Sequence, residues 1–247
     1  MPSTVSEVRM TSATRWIGAG LGLAMAGYGA TVCAAYLRFG RRRRQTRDSD
    51  PWLDRFMPLY DIAERHRVRV SAPASVTLAA ALDTDLEESA IIGGIIRARE
   101  LVLGARPDRR LGPDGLLARM TSIGWGVLAE DPGREVVVGA VTQPWLPEVV
   151  FRPLPADAFA AFAEPGFVKI AWTVGVDPVS ASTSEFRTET RAVATDPTAR
   201  RKFRWYWARF SPGVVIIRQV VLRMVKAEAE RRIARPDPAL GRRPATD

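Results

Sequence analysis

The chain has 247 residues and a formal net charge of +9, with 47% hydrophobic and 26% charged residues. This composition is normal for a globular fold, and the length allows one ordinary domain beside a membrane span and flexible ends. One cysteine, Cys33, and one histidine, His66, exclude an intrachain disulfide and a His/Cys zinc site within one subunit.

The basic residues are concentrated in two blocks. Six arginines lie among residues 38–47 and a second block occupies 198–235, whereas residues 48–197 carry more acidic than basic side chains. Positive charge that flanks an acidic domain suits an anionic lipid surface better than a groove for DNA or RNA. We therefore expect a lipid bilayer as a partner and no nucleic acid.

An uncharged stretch of 22 residues, 16–37, precedes the first basic block. At about 1.5 Å per residue, a helix of that length crosses the roughly 30 Å hydrocarbon core of a bilayer. Arginines flank the cytoplasmic ends of such helices. The sequence therefore predicts a single-pass helix at 16–37, an N-terminal tail at 1–15 outside the cell membrane, and a soluble cytoplasmic domain.

A cleaved signal peptide is the alternative interpretation of this stretch. Val32-Cys33-Ala34 loosely matches a small-residue cleavage site. A secretory apolar region is usually about 7–15 residues long, however, and the arginines that follow would oppose translocation. Length and flanking charge therefore favour the anchor.

Small residues recur at every fourth position of the stretch, at Gly18, Gly22, Ala26, Ala30 and Ala34. This spacing places them on one helix face, where two backbones could approach closely and form a homodimer. The alternative is that glycine and alanine are simply common in this helix.

The remainder divides into a basic juxtamembrane linker at 38–58, a soluble domain at 59–235 and a disordered tail at 236–247. The apolar residues of PWLDRFMPLYD, at 51–61, are expected to dock on the domain. In the first half of the domain, alternation at 66–70 predicts a strand, and apolar spacing predicts helices at 75–82 and 86–103. Short valine-rich runs between turn residues predict further strands. They lie at 124–130, 135–141 and 148–152, with a helical turn at 156–163.

Two longer runs alternate clearly. At 167–176 the alternation places Trp172 on the inward face, and at 183–194 it places Thr188 and Thr190 inward. The outward positions of the second run carry charges of alternating sign, at Glu185, Arg187, Glu189 and Arg191.

Asp196-Pro197 then begins a long helix, since aspartate caps helix N-termini and proline fits the first turn. Its apolar stripe runs through Phe203, Trp207, Phe210, Val214, Ile217, Val221 and Met224. Ser211-Pro212-Gly213 predicts a kink or break midway.

A strand, two helices, antiparallel strands and a long final helix form the order of an α+β helix-grip fold. Over about residues 60–232 the chain resembles the START-like superfamily, of the polyketide cyclase/dehydrase and lipid-transport type. The resemblance lies in three motifs: VRVSAPASV at 68–76 with Leu82-Asp83, FRTETR at 186–191, and RRKFRWYW at 200–207. The last two are similar to an uncharacterised bacterial branch. Thr77 departs from the pattern, which often has an aromatic residue there.

The resemblance implies a cavity between the curved sheet and the last helix that binds a hydrophobic small molecule or lipid. Its lining would include Trp125, Trp172, Thr188, Thr190, Phe203 and Trp207, with Trp145 nearby. The alternative is that these aromatic residues only fill the core.

No catalytic residue, cofactor or metal is predicted. His66 stands alone at a strand start, and alternation directs Glu189 away from the cavity, so no acid or base lies where a reaction needs one. The sequence favours a binding protein over an enzyme. Two hypotheses remain: a membrane-anchored ligand-binding domain, or an interaction module whose basic C-terminal helix docks on anionic lipid or an acidic partner.

Overall fold

A computed structural model describes residues 12–38, 43–44, 50–106 and 115–235. The helices are α1 (Ser12–Arg38), α2 (Pro51–Phe56), α3 (Ala74–Asp83), α4 (Ala90–Leu103), α5 (Leu116–Ser122), α6 (Ala156–Ala161) and α7 (Pro197–Ala234). The strands are β1 (Arg43–Arg44), β2 (Leu59–Tyr60), β3 (Ile62–Val70), β4 (Gly126–Asp131), β5 (Glu135–Thr142), β6 (Val168–Ser180) and β7 (Thr183–Ala194). The predicted tail at 236–247 and residues 1–11 lie outside the described residues.

The main sheet has five antiparallel strands in the order β3-β7-β6-β5-β4. The strand predicted at 183–194 is confirmed as β7, and those predicted at 124–130, 135–141 and 167–176 correspond to β4, β5 and β6. The predicted strand at 148–152 is wrong, because that stretch contributes only an isolated bridge between Val141 and Arg152. Pro147 and Pro153 flank it and cannot donate to a ladder.

The inner face of the sheet packs against α7 and α3. Valines of β5 and β6, Trp172 and Phe186 contact a stripe on α7 formed by Val221, Leu222 and Val225. A long C-terminal helix held across an antiparallel sheet is the helix-grip arrangement, and the predicted α+β class is confirmed.

The outer face of the sheet is covered too, and the expected docking of the apolar residues at the end of the linker is confirmed. Leu53, Phe56 and Met57 are buried against Val137 and Val141 of β5 and against α6. Asp50 caps α2, since its Oδ1 accepts hydrogen bonds from the backbone amides of Trp52 and Leu53. On the outer face, the buried residues of the described ranges therefore begin at Asp50.

The long helix α7 begins where the sequence predicts. Asp196 Oδ1 accepts hydrogen bonds from the amides of Thr198 and Ala199, at 2.7 and 3.0 Å. The predicted break at 211–213 is wrong, because α7 continues through Pro212 to Ala234. Proline removes one backbone bond, at a cost of about 3 kcal/mol. Burial of side chains on both sides of it, Ala208 and Ser211 before and Val221 after, offsets that cost.

Helix α1 contains the predicted span 16–37 and packs along α7. Tyr28 Oη donates to the carbonyl of Arg209 at 2.5 Å, and Arg204 Nε donates to the carbonyl of Tyr36 at 2.6 Å. Across the ranges that the structure describes, no helix combines the length and the hydropathy that crossing a membrane needs. The predicted membrane span is not supported by that finding.

The predicted dimer face on α1 is only partly described. Ala26, Ala30 and Ala34 are exposed, whereas the side-chain surroundings of Gly18 and Gly22 lie outside the described part. Self-association through this face stays a prediction.

Candidate ligand-binding site

Polar side chains lie on the inner face of the sheet, beneath the middle of α7. The strand register sets His66 of β3 opposite Thr188 of β7, and Thr190 of β7 opposite Trp172 of β6. All four point to the same side, because side chains alternate along each strand and these residues share the parity of the buried valines. Four polar side chains therefore share the inner face, and of these Trp172 lines the small enclosed cavity described below.

Trp172 is the centre of this group and is 2% exposed. Its indole Nε1 donates to Thr188 Oγ1, which fixes the orientation of the ring. The guanidinium of Arg218 lies over the ring, 4.3 Å from its centroid. A cation over an indole face is attracted by the ring's negative quadrupole, and the attraction grows when water is excluded.

Arg218 is held there by its position on α7. It follows Val214 by four residues and precedes Val221 by three, so it lies on the stripe that faces the sheet. Burial lowers the pKa of Arg218 to about 10, which leaves the group charged at neutral pH. The sequence reasoning missed this residue by counting it with the surface charges of 198–235, although its spacing from Val214 and Val221 was a usable signal.

His66 borders Arg218. Its Nδ1 lies 3.2 Å from Gln219 Nε2, and its Nε2 is buried with no hydrogen-bond partner among the described residues. Burial, together with the charge of Arg218, lowers the pKa of His66, so its ring is neutral at pH 7. His66, which stands alone at a strand start in the sequence, is half-buried here beside Arg218 and Gln219.

The space beside Trp172 is closed. A cavity of about 10 Å³ remains, which is roughly the space of one water molecule. It is lined by Leu82, Leu116, Met120, Val136, Val138 and Trp172. A larger molecule can enter only if the side chains of α3 and α5 move.

The other predicted site residues are buried but do not all converge. Phe203 and Trp207 lie in a separate cluster with Ile62 and Val168, and their ring centroids are 6.0 Å apart. Trp125 packs on Phe151 with centroids 5.2 Å apart. The structure thus brings Trp172, Thr188 and Thr190 together, and it assigns Trp207 to a different cluster from Trp172.

The outer face of the sheet carries a second cluster of charged side chains, which form ion pairs with one another. Arg187 contacts Asp50 at 2.6 Å, Glu135 at 2.8 Å and Asp177 at 2.8 Å. Burial, with Asp50 nearby, raises the pKa of Glu135 to about 7 despite its bonds to Arg187. This cluster holds α2 on the sheet, and Arg187 already has carboxylate acceptors within it. Elsewhere among the described residues, no three His, Cys, Asp or Glu side chains assemble as metal ligands.

The opposite side of α7 forms an open groove of about 280 Å³. Aromatic rings alternate there with cations: Lys202 Nζ lies 5.8 Å from the Trp145 ring centroid, and the Arg209 guanidinium lies 5.7 Å from that of Trp205. Trp145 therefore lines this outer groove and not the space between sheet and helix.

No family model matches the chain, and no curated protein matches it. Solved structures give weak likenesses. The hypothetical protein jhp0584 of Helicobacter pylori has a TM-score of 0.36 and 9% identity, over 76% of this chain and 99% of that one. The Zhui aromatase/cyclase of Streptomyces sp. R1128 has a TM-score of 0.25 and 16% identity, over 70% and 95%.

CalU16 of Micromonospora echinospora has a TM-score of 0.26 and 13% identity, covering 79% of this chain and 98% of its own. Likenesses with TM-scores below 0.5 carry no inference about function. The helix-grip arrangement follows instead from the strand order of this chain and from the position of α7 across the inner face.

Proposed function

We propose that this chain binds a hydrophobic small molecule or lipid between the inner face of the sheet and α7. The observation that carries the proposal is the polar row His66, Thr188, Trp172 and Thr190 inside an otherwise apolar interface. Trp172 Nε1 and Thr188 Oγ1 are bonded to each other, whereas His66 Nε2 is buried without a partner among the described residues. A buried polar atom without a hydrogen bond costs free energy, so an apolar residue would be more stable at that position. Few convergent polar groups among apolar walls are typical of a small-molecule site.

Entry of a ligand requires the closed cavity to expand. Leu116 and Met120 of the seven-residue helix α5 form one wall, opposite Val138 and Trp172 of the sheet. Methionine adapts to irregular spaces because three of its bonds rotate, so it can fill the space without ligand and turn aside with it. Outward movement of α5 would widen the space without disturbing the sheet ladders.

The test uses neighbouring valines of β5 that point to opposite faces. Val138 lines the cavity, whereas Val137 packs against the outer cluster, and both are buried. In the full chain, Val138→Phe should abolish binding of a fluorescent fatty-acid probe, and Val137→Phe should leave it unchanged. Both add volume to a packed core and should cost about 1–3 kcal/mol of stability.

If wild type binds no probe, and mass spectrometry of its organic-solvent extract finds no ligand, the inner face is a plain core. Equal loss of binding in both variants would show that the effect comes from lost stability and not from a filled site.

A second candidate function, docking on an anionic bilayer, is favoured by the groove on the outer side of α7. Its lining pairs the half-exposed Trp205 with Lys202 and Arg209. Amphipathic rings beside cations suit the headgroup level of a membrane, and each well-placed cation adds about 1 kcal/mol near an anionic surface. Trp205→Ala with Lys202→Gln should weaken binding of the full chain to anionic vesicles, and added salt should weaken it further. Equal binding to neutral vesicles would count against this function.

A further inference from the structure

Resting on the proposed function, we propose that the ligand is a hydrophobic carboxylic acid, whose carboxylate binds Arg218 and His66 above the ring of Trp172. The proposal depends on one buried donor without an acceptor among the described residues, His66 Nε2, and on a neighbouring cation without a carboxylate partner there, Arg218.

The first donor is the guanidinium of Arg218. No ion pair or hydrogen bond joins it to an acidic side chain within the described ranges, and its contact there is the face of Trp172. The arginines of the outer face behave differently: Arg187 and Arg191 each pair with at least two carboxylates. Arg218 is half-buried over the ring of Trp172. Partial loss of hydration without a counter-charge costs free energy, and an anion supplied by a ligand would offset that cost.

The second donor is His66 Nε2. The amide nitrogen of Gln219 can only donate, so Nδ1 of the neutral ring accepts from it and the ring proton lies on Nε2. That atom is buried and has no acceptor among the residues that the structure describes. Arg218 lies near enough for its charge to lower the pKa of His66. An oxygen pair between them would satisfy both donors.

The charge of the site selects a carboxylate over a phosphate. A neutral His66 and a charged Arg218 give one positive charge at the ring of Trp172, which one carboxylate neutralises. Glu64, on the same face opposite Thr190, has an interaction of its own. A phosphate monoester carries nearly two negative charges at neutral pH. It would leave one charge uncompensated beside Trp172, Val174 and Val221.

The experiment compares Arg218→Gln with Arg223→Gln in the full chain. Arg223 lies five residues along α7 and is exposed, so its substitution is a matched control. The probes are a fluorescent fatty acid, the corresponding fatty alcohol and a monoalkyl phosphate of the same length. Wild type and Arg223→Gln should bind the acid about 10- to 100-fold more tightly than the alcohol, as expected for hydrogen bonds to a charged group.

Arg218→Gln should bind acid and alcohol with equal affinity, and its alcohol affinity should equal that of wild type. Its melting temperature should change little, because loss of the contact with the Trp172 ring is offset by removal of a charge without a carboxylate partner. Wild type that binds acid and alcohol equally would overturn the carboxylate inference and leave the proposed cavity standing. Tighter binding of the alkyl phosphate would also overturn it, and binding of no probe would refute the proposed function itself.

Discussion

Substitution of Arg191 by methionine tests how the outer face holds α2 on the sheet. Arg191 is fully buried, and its guanidinium lies 4.7 Å from the ring centroid of Tyr60. Nε donates to Glu189 at 2.6 Å, while one terminal nitrogen donates to Asp54 at 2.7 Å and to the carbonyl of Met57 at 2.9 Å. The variant keeps the apolar volume and removes the charge and the donors.

The expected loss follows from the charges that remain. Glu189 keeps Arg65, whose Nε lies 2.8 Å away, so it does not become an isolated buried charge. Asp54 loses the partner at 2.7 Å, and the carbonyl of Met57 loses a donor. Removing one partner from a buried ion pair typically costs about 3–5 kcal/mol. We expect the lower end, about 3 kcal/mol, because Arg65 compensates in part.

Unfolding of the full chain by urea and by heat is monitored by circular dichroism. For a domain of this size a loss of about 3 kcal/mol lowers the melting temperature by roughly 6–12 °C. The control is Arg67→Met on β3, whose exposed pair with Glu185 spans 3.6 Å and should contribute less than about 1 kcal/mol. If Arg191→Met costs no more than Arg67→Met, the buried contacts do not hold α2 in place.

Three further predictions concern pH, packing and orientation. The raised pKa of Glu135 means that the folded chain holds this proton more tightly, so its contribution to the free energy of unfolding falls as pH rises from about 4.5 to about 7. Glu135→Gln should remove that slope, and the difference between the two stability–pH curves isolates it from the opposite effect of His66. Trp207→Ala should cost about 3–5 kcal/mol in urea unfolding and leave probe binding unchanged, because Trp207 packs with Phe203 outside the cavity. If Trp207→Ala kept its stability and lost probe binding, Trp207 would be a ligand-contacting residue after all. A reporter fused after Asp247 should be active in the cytoplasm, as the arginines at 38–47 require, and activity outside the cell would refute that orientation.

The strands that alternate over many residues could be predicted from the sequence. In β7 a charged residue follows each small or apolar residue through most of the strand. The bounds of the strand and its two faces could therefore both be predicted. The start of α7 was legible too, because Asp196 and Pro197 form a standard cap. Asp50 and Pro51 repeat the same pair ahead of α2. The apolar residues of this segment were expected to dock on the domain, but the helix itself was not predicted, because six residues are too few for a helical period to be recognised.

Periodicity predicts which face of a helix or strand a residue lies on. It does not predict which part of the facing element that residue contacts. Trp172 and Trp207 were both correctly predicted to point inward, yet they lie in different clusters, because α7 is 38 residues long and passes over more than one part of the sheet. Arg218 shows the same limit for a charged residue that faces the sheet. A charge within a basic block looks like a surface residue until the register of the helix is known.

Among the described residues, arginines on the outer face of the sheet have carboxylate partners, whereas Arg218 on the inner face does not. This difference supports a bound ligand. On the outer face Arg191 is fully buried and Arg187 is half-buried, and each is surrounded by carboxylates at 2.6 to 2.8 Å. The chain therefore supplies counter-charges where it buries a cation for stability alone. On the inner face Arg218 and the Nε2 atom of His66 have no such acceptors in the described part of the chain, although apolar residues there would pack at lower cost. An acid brought by a ligand completes the inner face in the way that Asp50, Asp54, Glu135 and Glu189 complete the outer one.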